Sequence, residues 1–88
     1  MKVNPSFKIV HIADEVLAIP IGKEAESFKG VVLLTEESAF LLENIDGKKS
    51  VKEIVALFLD EYDVEEKKVT EDISRMLQEF VRIGLIEE

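Results

Sequence analysis

The side chains in this chain that most often do acid–base or metal chemistry are one histidine and 19 carboxylates, and there is no cysteine. His11 has no second imidazole or thiolate with which to bind a metal ion. The acidic pairs Glu65-Glu66, Glu71-Asp72 and Glu87-Glu88 lie at predicted helix starts or at the end of the chain, where the helix dipole and solvent account for them. The sequence also has no glycine-rich phosphate loop. We therefore predict no catalytic residue, no metal ion and no cofactor.

Length and charge narrow the function further. The 88 residues predict a single domain, 1–88. The net charge of −8 disfavours nucleic acid and an anionic membrane surface, because both require a basic face. The start of the chain does not resemble a signal peptide, and no apolar run approaches the roughly 20 residues of a membrane span. With no cysteine, the composition is consistent with a reducing compartment, and we predict a cytoplasmic protein.

The first third of the chain has the composition of β-strands. Strands are predicted at 7–12, 15–21 and 28–34, with a short turn at Ala13-Asp14 and a polar loop at 22–27. Successive strands joined by short connections predict an antiparallel meander. Both faces carry apolar residues, so one face meets the helices and the other is either partly covered or available for contacts.

Three helices are predicted after the strands. Thr35 is placed to cap the first, which ends at Asp46-Gly47. Ser50 and Glu53 have the spacing of a capping box at the start of the second, which runs to about Tyr62. The third begins near Val69 or Thr70, after a charged connection, and stops before Gly84. Its apolar residues span roughly 160° of the circumference, wider than the stripe of about 100° that a core requires.

The predicted fold class is α+β, a winged-helix-like arrangement of a three-stranded antiparallel β-meander followed by three α-helices. In a DNA-binding winged helix the third helix would enter the major groove. Here that helix offers only Arg75 and Arg82 among several acidic residues. A winged-helix protein–protein interaction or regulatory domain remains open, and a basic patch at Lys48, Lys49 and Lys52 would lie away from the third helix.

A set of motifs in this order resembles the PqqD family, which includes the pyrroloquinoline quinone biosynthesis protein D and related recognition elements for ribosomally made, modified peptides. The motifs run from Leu34 through Asp46-Gly47 to the segment 50–54, and the chain closes on Gly84-Leu85-Ile86. Two positions depart from the family pattern: Leu42 stands where tryptophan is frequent, and Glu37 where threonine or serine is frequent.

The resemblance implies a non-catalytic module that binds the leader segment of a precursor peptide. The leader would add as a strand to the edge of the third strand and place side chains in a groove against the third helix. The partners implied are the leader peptide and a modifying enzyme such as a radical S-adenosylmethionine protein, with no cofactor in the module itself. The residues of this sequence support the mechanism, because the last strand of a meander has one free edge.

The predicted peptide-binding residues fall into two groups. Those on the strand edge are Val31, Val32, Leu33 and Leu34, and those on the third helix are Ile73, Met76, Leu77 and Phe80. A role confined to the core is the alternative for each of them. Arg75, Arg82 and Lys29 either pair with acidic leader residues or are ordinary surface charges.

A separate hypothesis concerns the first two strands. Their apolar positions predict a surface for self-association, as a possible homodimer, or for docking to the modifying enzyme: Val10, Ile12, Leu17 and Ile19.

Overall fold

A computed structural model describes residues 1–28 and 30–88. In chain order the elements are β1 (Lys2–Val3), β2 (Phe7–Ile12), β3 (Glu15–Pro20), α1 (Glu24–Ser27), β4 (Val32–Leu34), α2 (Glu36–Glu43), α3 (Val51–Glu61), α4 (Glu66–Arg82) and β5 (Ile86–Glu87). β2, β3 and β4 form an antiparallel sheet in that order, and β1 pairs with β5 at the two ends of the chain. The predicted α+β class, with its meander followed by three main helices, is confirmed.

The register of the sheet sorts its side chains onto two faces. On the inner face Ala18 lies between Ile9 and Val32 and is fully buried, while both partners pack against the core. On the outer face Leu17 lies between Val10 and Leu33. Because every second side chain of a strand lies on the same face, this register makes both faces of the sheet apolar.

The helices cover the inner face and supply most of the core. α3 and α4 pack against each other, and their largest fully buried side chains include Ile54, Phe58 and Ile73. The chain end completes this core, because Leu85 and Ile86 are both buried behind α4. Gly84 makes that return possible, because its φ of +87° turns the chain back after α4. The Leu85 amide then donates a hydrogen bond of 2.8 Å to the Phe80 carbonyl. The predicted stop of the third helix at this glycine is confirmed.

Reciprocal hydrogen bonds begin two of the helices. At α2 the Thr35 hydroxyl accepts from the Ser38 amide at 3.1 Å, and the Thr35 amide donates to the Ser38 hydroxyl at 2.8 Å. At α3 the Ser50 hydroxyl accepts from the Glu53 amide at 3.1 Å, and the Ser50 amide donates to a Glu53 carboxylate oxygen at 3.0 Å. Both predicted N-caps are confirmed, and Ser38, which was not predicted as part of a cap, completes the one at α2.

The cap of α3 gives a first prediction. Ser50→Ala removes the hydroxyl that accepts from Glu53 and leaves that amide without its side-chain partner, so the free energy of unfolding should fall by about 1 kcal/mol. Chemical denaturation with urea measures the change. Lys52→Ala, an exposed substitution in the same helical turn, is the control and should change stability by less than about 0.5 kcal/mol. Equal effects of the two substitutions would contradict a specific role for the cap.

Several boundaries differ from the sequence-based prediction. The first main helix was expected to end at Asp46-Gly47, but α2 ends at Glu43, where the Asn44 amide caps the last turn. The third strand was expected over 28–34, but β4 covers only Val32–Leu34, and Gly30 has a φ of +101°, outside the extended region. The third helix begins at Glu66 rather than near Val69 or Thr70. Its first turn is polar and therefore invisible to apolar periodicity. A short helix, α1, occupies the loop predicted at 22–27, and the two-residue strands β1 and β5 are too brief for any periodicity to indicate.

Candidate functional site

The free edge of the sheet is β4. This strand pairs with β3 on one side, and within the described residues no further strand pairs with its other side. Its outward side chain, Leu33, is 64% exposed and is the most exposed of the large apolar residues in the described part of the chain. Val31, just before the strand, is 53% exposed. An edge of this kind offers unpaired backbone amides and carbonyls next to apolar side chains.

A cavity of about 400 Å³ lies where β4 ends. Thr35, the residue that follows β4, lines it together with the end of α3, the α3–α4 connection and the first half of α4. The apolar lining consists of Phe58, Tyr62, Val64, Val69 and Met76. The polar lining consists of Thr35, Glu37, Lys68, Asp72 and Arg75. The cavity is therefore an apolar recess with a charged rim, beside the end of the free strand.

Phe58 and Tyr62 form the wall of this cavity on the α3 side, and Phe40 packs against both of them. The Phe58 and Tyr62 ring centroids are 5.7 Å apart, and Phe40 meets both edge-to-face at 4.9 and 5.6 Å. Partial burial, with the nearby charges of Glu36 and Glu37, raises the pKa of the Tyr62 phenol above its ordinary value. Tyr62 is consequently neutral at physiological pH and contributes a ring surface and a hydroxyl.

The charges on the rim of the cavity pair with one another. The Asp72 carboxylate accepts hydrogen bonds from Lys68 Nζ at 2.8 Å and from an Arg75 guanidinium nitrogen at 2.9 Å. The Lys68 hydrogen bond is the main reason that the pKa of Asp72 is lowered, and the Arg75 charge adds to it. Lys68 and Arg75 remain largely exposed and can reach a ligand without a change of backbone.

The lowered pKa of Asp72 gives a second prediction. Because the folded-state pKa lies below the unfolded value of about 3.9, the ionised carboxylate stabilises the fold above that value and loses its effect as pH falls through the folded pKa. Asp72→Asn should therefore melt at a lower temperature than the wild type at pH 7, and the gap should narrow below about pH 4. Thermal unfolding at pH 7 and pH 2.5 measures this. A gap of equal size at both pH values would contradict the ion-pair explanation.

The structure separates the eight predicted site residues by exposure. Val31 and Leu33 are exposed, Val32 and Met76 are half-buried, and Leu34 is buried on the inner face of the sheet. Of the four predicted residues on α4, Met76 is the one that lines the cavity.

The other three predicted residues on α4 are core residues in this conformation. Ile73 has no exposed surface, and Leu77 and Phe80 are 8% and 7% exposed. They lie beneath the face of α4 that carries Met76, and they support that face from the core.

Several lining residues were not among the sequence-based predictions, namely Thr35, Phe58, Tyr62, Val64, Lys68 and Val69. Thr35 had been predicted only as a helix cap, and Tyr62 and Val69 only as helix boundaries. Val64 carried an available signal, since it is an exposed apolar residue in an otherwise charged connection.

The remaining candidates from the sequence have ordinary surroundings. His11 is exposed, with its Nε2 atom 3.3 Å from a Glu43 carboxylate oxygen. Arg82 pairs with Glu79, and Lys49 pairs with Asp46, so two of the predicted basic side chains are engaged on their own elements. Lys29, proposed to flank the strand edge, lies outside the described residues.

Residues 1–28 and 30–88 contain neither a cluster of metal-binding side chains nor a helix that could span a membrane. No group of three or more histidine, cysteine, aspartate or glutamate side chains in this part of the chain has the arrangement to hold a metal ion. Likewise, none of the helices described there is long and apolar enough to cross a membrane.

Comparisons with known proteins find a family model and a solved structure that match this chain. The family model for coenzyme PQQ synthesis protein D (PqqD) matches residues 23–86. A solved structure, TbiB1 in complex with the TbiA(beta) leader peptide, superposes with a TM-score of 0.79 at 23% identity, covering 99% of this chain and 95% of that one. A comparison with curated proteins gives no match.

Proposed function

The chain belongs to the PqqD family, and from that premise we propose that it binds the leader segment of a ribosomally made precursor peptide. The leader adds as a fourth strand along the free edge of β4. Its main chain supplies hydrogen bonds to the unpaired side of that strand, and its alternate side chains supply specificity. The solved relative that shares this fold is bound to a leader peptide, which supports the proposal.

The observation that carries the proposal is the meeting of the free edge with the cavity. A strand laid along β4 towards Thr35 runs directly to the cavity, because Thr35 both ends the strand and lines the recess. Every second side chain of the leader then points to the inner side, where Met76 and Val69 offer apolar surface. An edge with no recess would bind main chain alone and would not distinguish one peptide from another.

The contact roles follow from exposure. Leu33 and Val31 contact the added strand at the sheet edge, and Met76 forms the floor under its inward side chains. The flexible thioether of Met76 suits a surface that accepts side chains of different shape. Ile73, Leu77 and Phe80 hold α4 at the right distance from below. Arg75 and Lys68 are placed to bind a leader carboxylate, at the expense of their pairing with Asp72.

The module itself performs no chemistry in this proposal. It holds the leader while a separate modifying enzyme, of which a radical S-adenosylmethionine protein is one example, acts on the rest of the precursor. The setting is the cytoplasm, where the precursor is synthesised.

Val32 and Leu34 contribute to leader binding through the strand backbone, since their side chains face the helices.

Fluorescence anisotropy tests the proposal. The probes are fluorescein-labelled synthetic peptides covering the leader segments of short reading frames encoded beside the gene, each with a scrambled version of equal composition. We expect one leader to bind with a micromolar or lower Kd and its scrambled version to bind at least 10-fold more weakly. Failure of every leader, or equal binding of leader and scrambled peptide, would contradict the proposal and favour the winged-helix interaction domain.

A further inference from the structure

The outer face of the sheet is apolar at its centre and separate from the core. This outer face consists of Lys8, Val10, Ile12, Glu15, Leu17, Ile19 and Leu33. The inner-face residues Ile9, Val16 and Val32 pack against the core, whereas Val10, Leu17 and Ile19 are half-buried and do not belong to that cluster. Ile12 and Leu33 are more than half exposed. A group of apolar side chains that the core does not use is a candidate interaction surface.

The two charges of the outer face lie at its opposite ends. Lys8 is level with Ile19 in one end row, Leu17 lies in the middle row, and Glu15 pairs with Ile12 in the other end row. Four residues of strand separate Lys8 from Ile12, which is about 14 Å, so Lys8 and Glu15 do not pair within one chain. The face as a whole carries no net charge, in a protein whose net charge is −8.

We propose that this outer face binds the same face of a second copy of the chain in a two-fold symmetric dimer. A two-fold axis along the middle row brings the Lys8 end of one copy over the Glu15 end of the other, and does so twice. Packed sheets lie about 10 Å apart, a gap that a lysine and a glutamate side chain span together. Two acidic chains repel each other least when they meet through neutral, apolar faces. The Lys8 and Glu15 ends of this face complement those of a second copy, and this match favours a second copy over a partner with a different charge pattern.

The size of the face sets the strength of the dimer. Two strands of six residues and one of three, spaced about 4.8 Å apart, give a face of roughly 250 Å² per copy. Stable complexes bury about 800 Å² per partner, so this dimer is weak and depends on concentration. It leaves the cavity beside α4 uncovered, and Leu33 is the one residue that it shares with the proposed leader-binding edge.

Charge reversal tests the dimer with variants at exposed positions. Sedimentation equilibrium from 10 µM to 1 mM should show the wild type moving from monomer towards dimer. Lys8→Glu and Glu15→Lys should each raise the Kd of the dimer by about 10-fold, since each places like charges opposite one another twice. The double variant should restore the wild-type value.

Net charge alone predicts a different result. Glu15→Lys reduces the magnitude of the net charge and would on that ground strengthen association, whereas the two-fold arrangement requires this variant to associate more weakly. Lys67→Glu, exposed on α4, matches the charge change of Lys8→Glu and should leave the Kd near the wild-type value. A wild type that stays monomeric at 1 mM, or a double variant that remains as weak as the single variants, would overturn the proposal. If the protein is monomeric and the Lys8 and Glu15 variants lose binding to a modifying enzyme, the dimer proposal is overturned and the outer face is a docking surface for that enzyme.

Discussion

Met76→Glu should raise the Kd for the leader peptide by on the order of 30-fold or more, while the protein remains folded. Met76 lines the cavity from α4 and is half-buried, so a carboxylate there would be desolvated when a leader side chain covers it. In the free protein the same carboxylate reaches solvent, and we expect stability to change little. Anisotropy titration with the bound leader measures the Kd, and circular dichroism confirms the fold.

Gln78→Glu is the matched control for Met76→Glu. It places the same new charge on the same helix, at an exposed position that does not line the cavity. The Kd of this variant should equal that of the wild type. If both variants weakened binding equally, the effect would come from net charge, and Met76 would lose its assigned position under the leader.

Ile73→Ala should lower the free energy of unfolding by about 2–5 kcal/mol. Ile73 has no exposed surface and lies in the core among residues of α3, α4 and the chain end. Its truncation leaves a cavity that the packed helices cannot close completely. For a domain of this size the melting temperature should fall by roughly 10–30 °C. Differential scanning calorimetry measures both quantities.

Two further variants make the Ile73 prediction specific. Ile73→Val should cost only about 0.5–1.5 kcal/mol, and Glu71→Ala, exposed on the same helix, less than about 0.5 kcal/mol. At a temperature where Ile73→Ala is folded, its Kd for the leader should stay within a few-fold of wild type, because Ile73 supports α4 from beneath. A loss of leader affinity as large as that of Met76→Glu would instead show that the leader displaces the core and contacts Ile73 directly.

The order of the main elements was accessible from the sequence because their signals are local. Thr35 and the Ser50–Glu53 pair mark helix starts through hydrogen bonds within one turn, and Gly84 marks a stop through its backbone conformation. The start of α4 was placed too late, since a polar first turn carries no apolar periodicity. The pairing of β1 with β5 joins the two ends of the chain, and no local pattern encodes it.

The candidate site was only partly accessible for a related reason. Periodicity showed an apolar stripe on α4 wider than a core requires, but it left open whether one edge of the stripe was exposed and which edge that was. The fold decides this by burying Ile73, Leu77 and Phe80 and leaving Met76 at the cavity. Tyr62 joins the cavity wall from α3, a contact that depends on how two helices pack and not on the sequence of either one.

Backbone hydrogen exchange at β4 tests strand addition most directly. The amides of Val31, Val32, Leu33 and Leu34 would be followed by NMR, with and without saturating leader, and cross-strand contacts between leader and β4 would be sought in the same samples. We predict that the β4 amides facing the free edge gain strong protection when the leader binds and that the contacts follow an antiparallel or parallel ladder along β4. Tight binding that leaves every β4 amide exchanging as in the free protein would contradict strand addition.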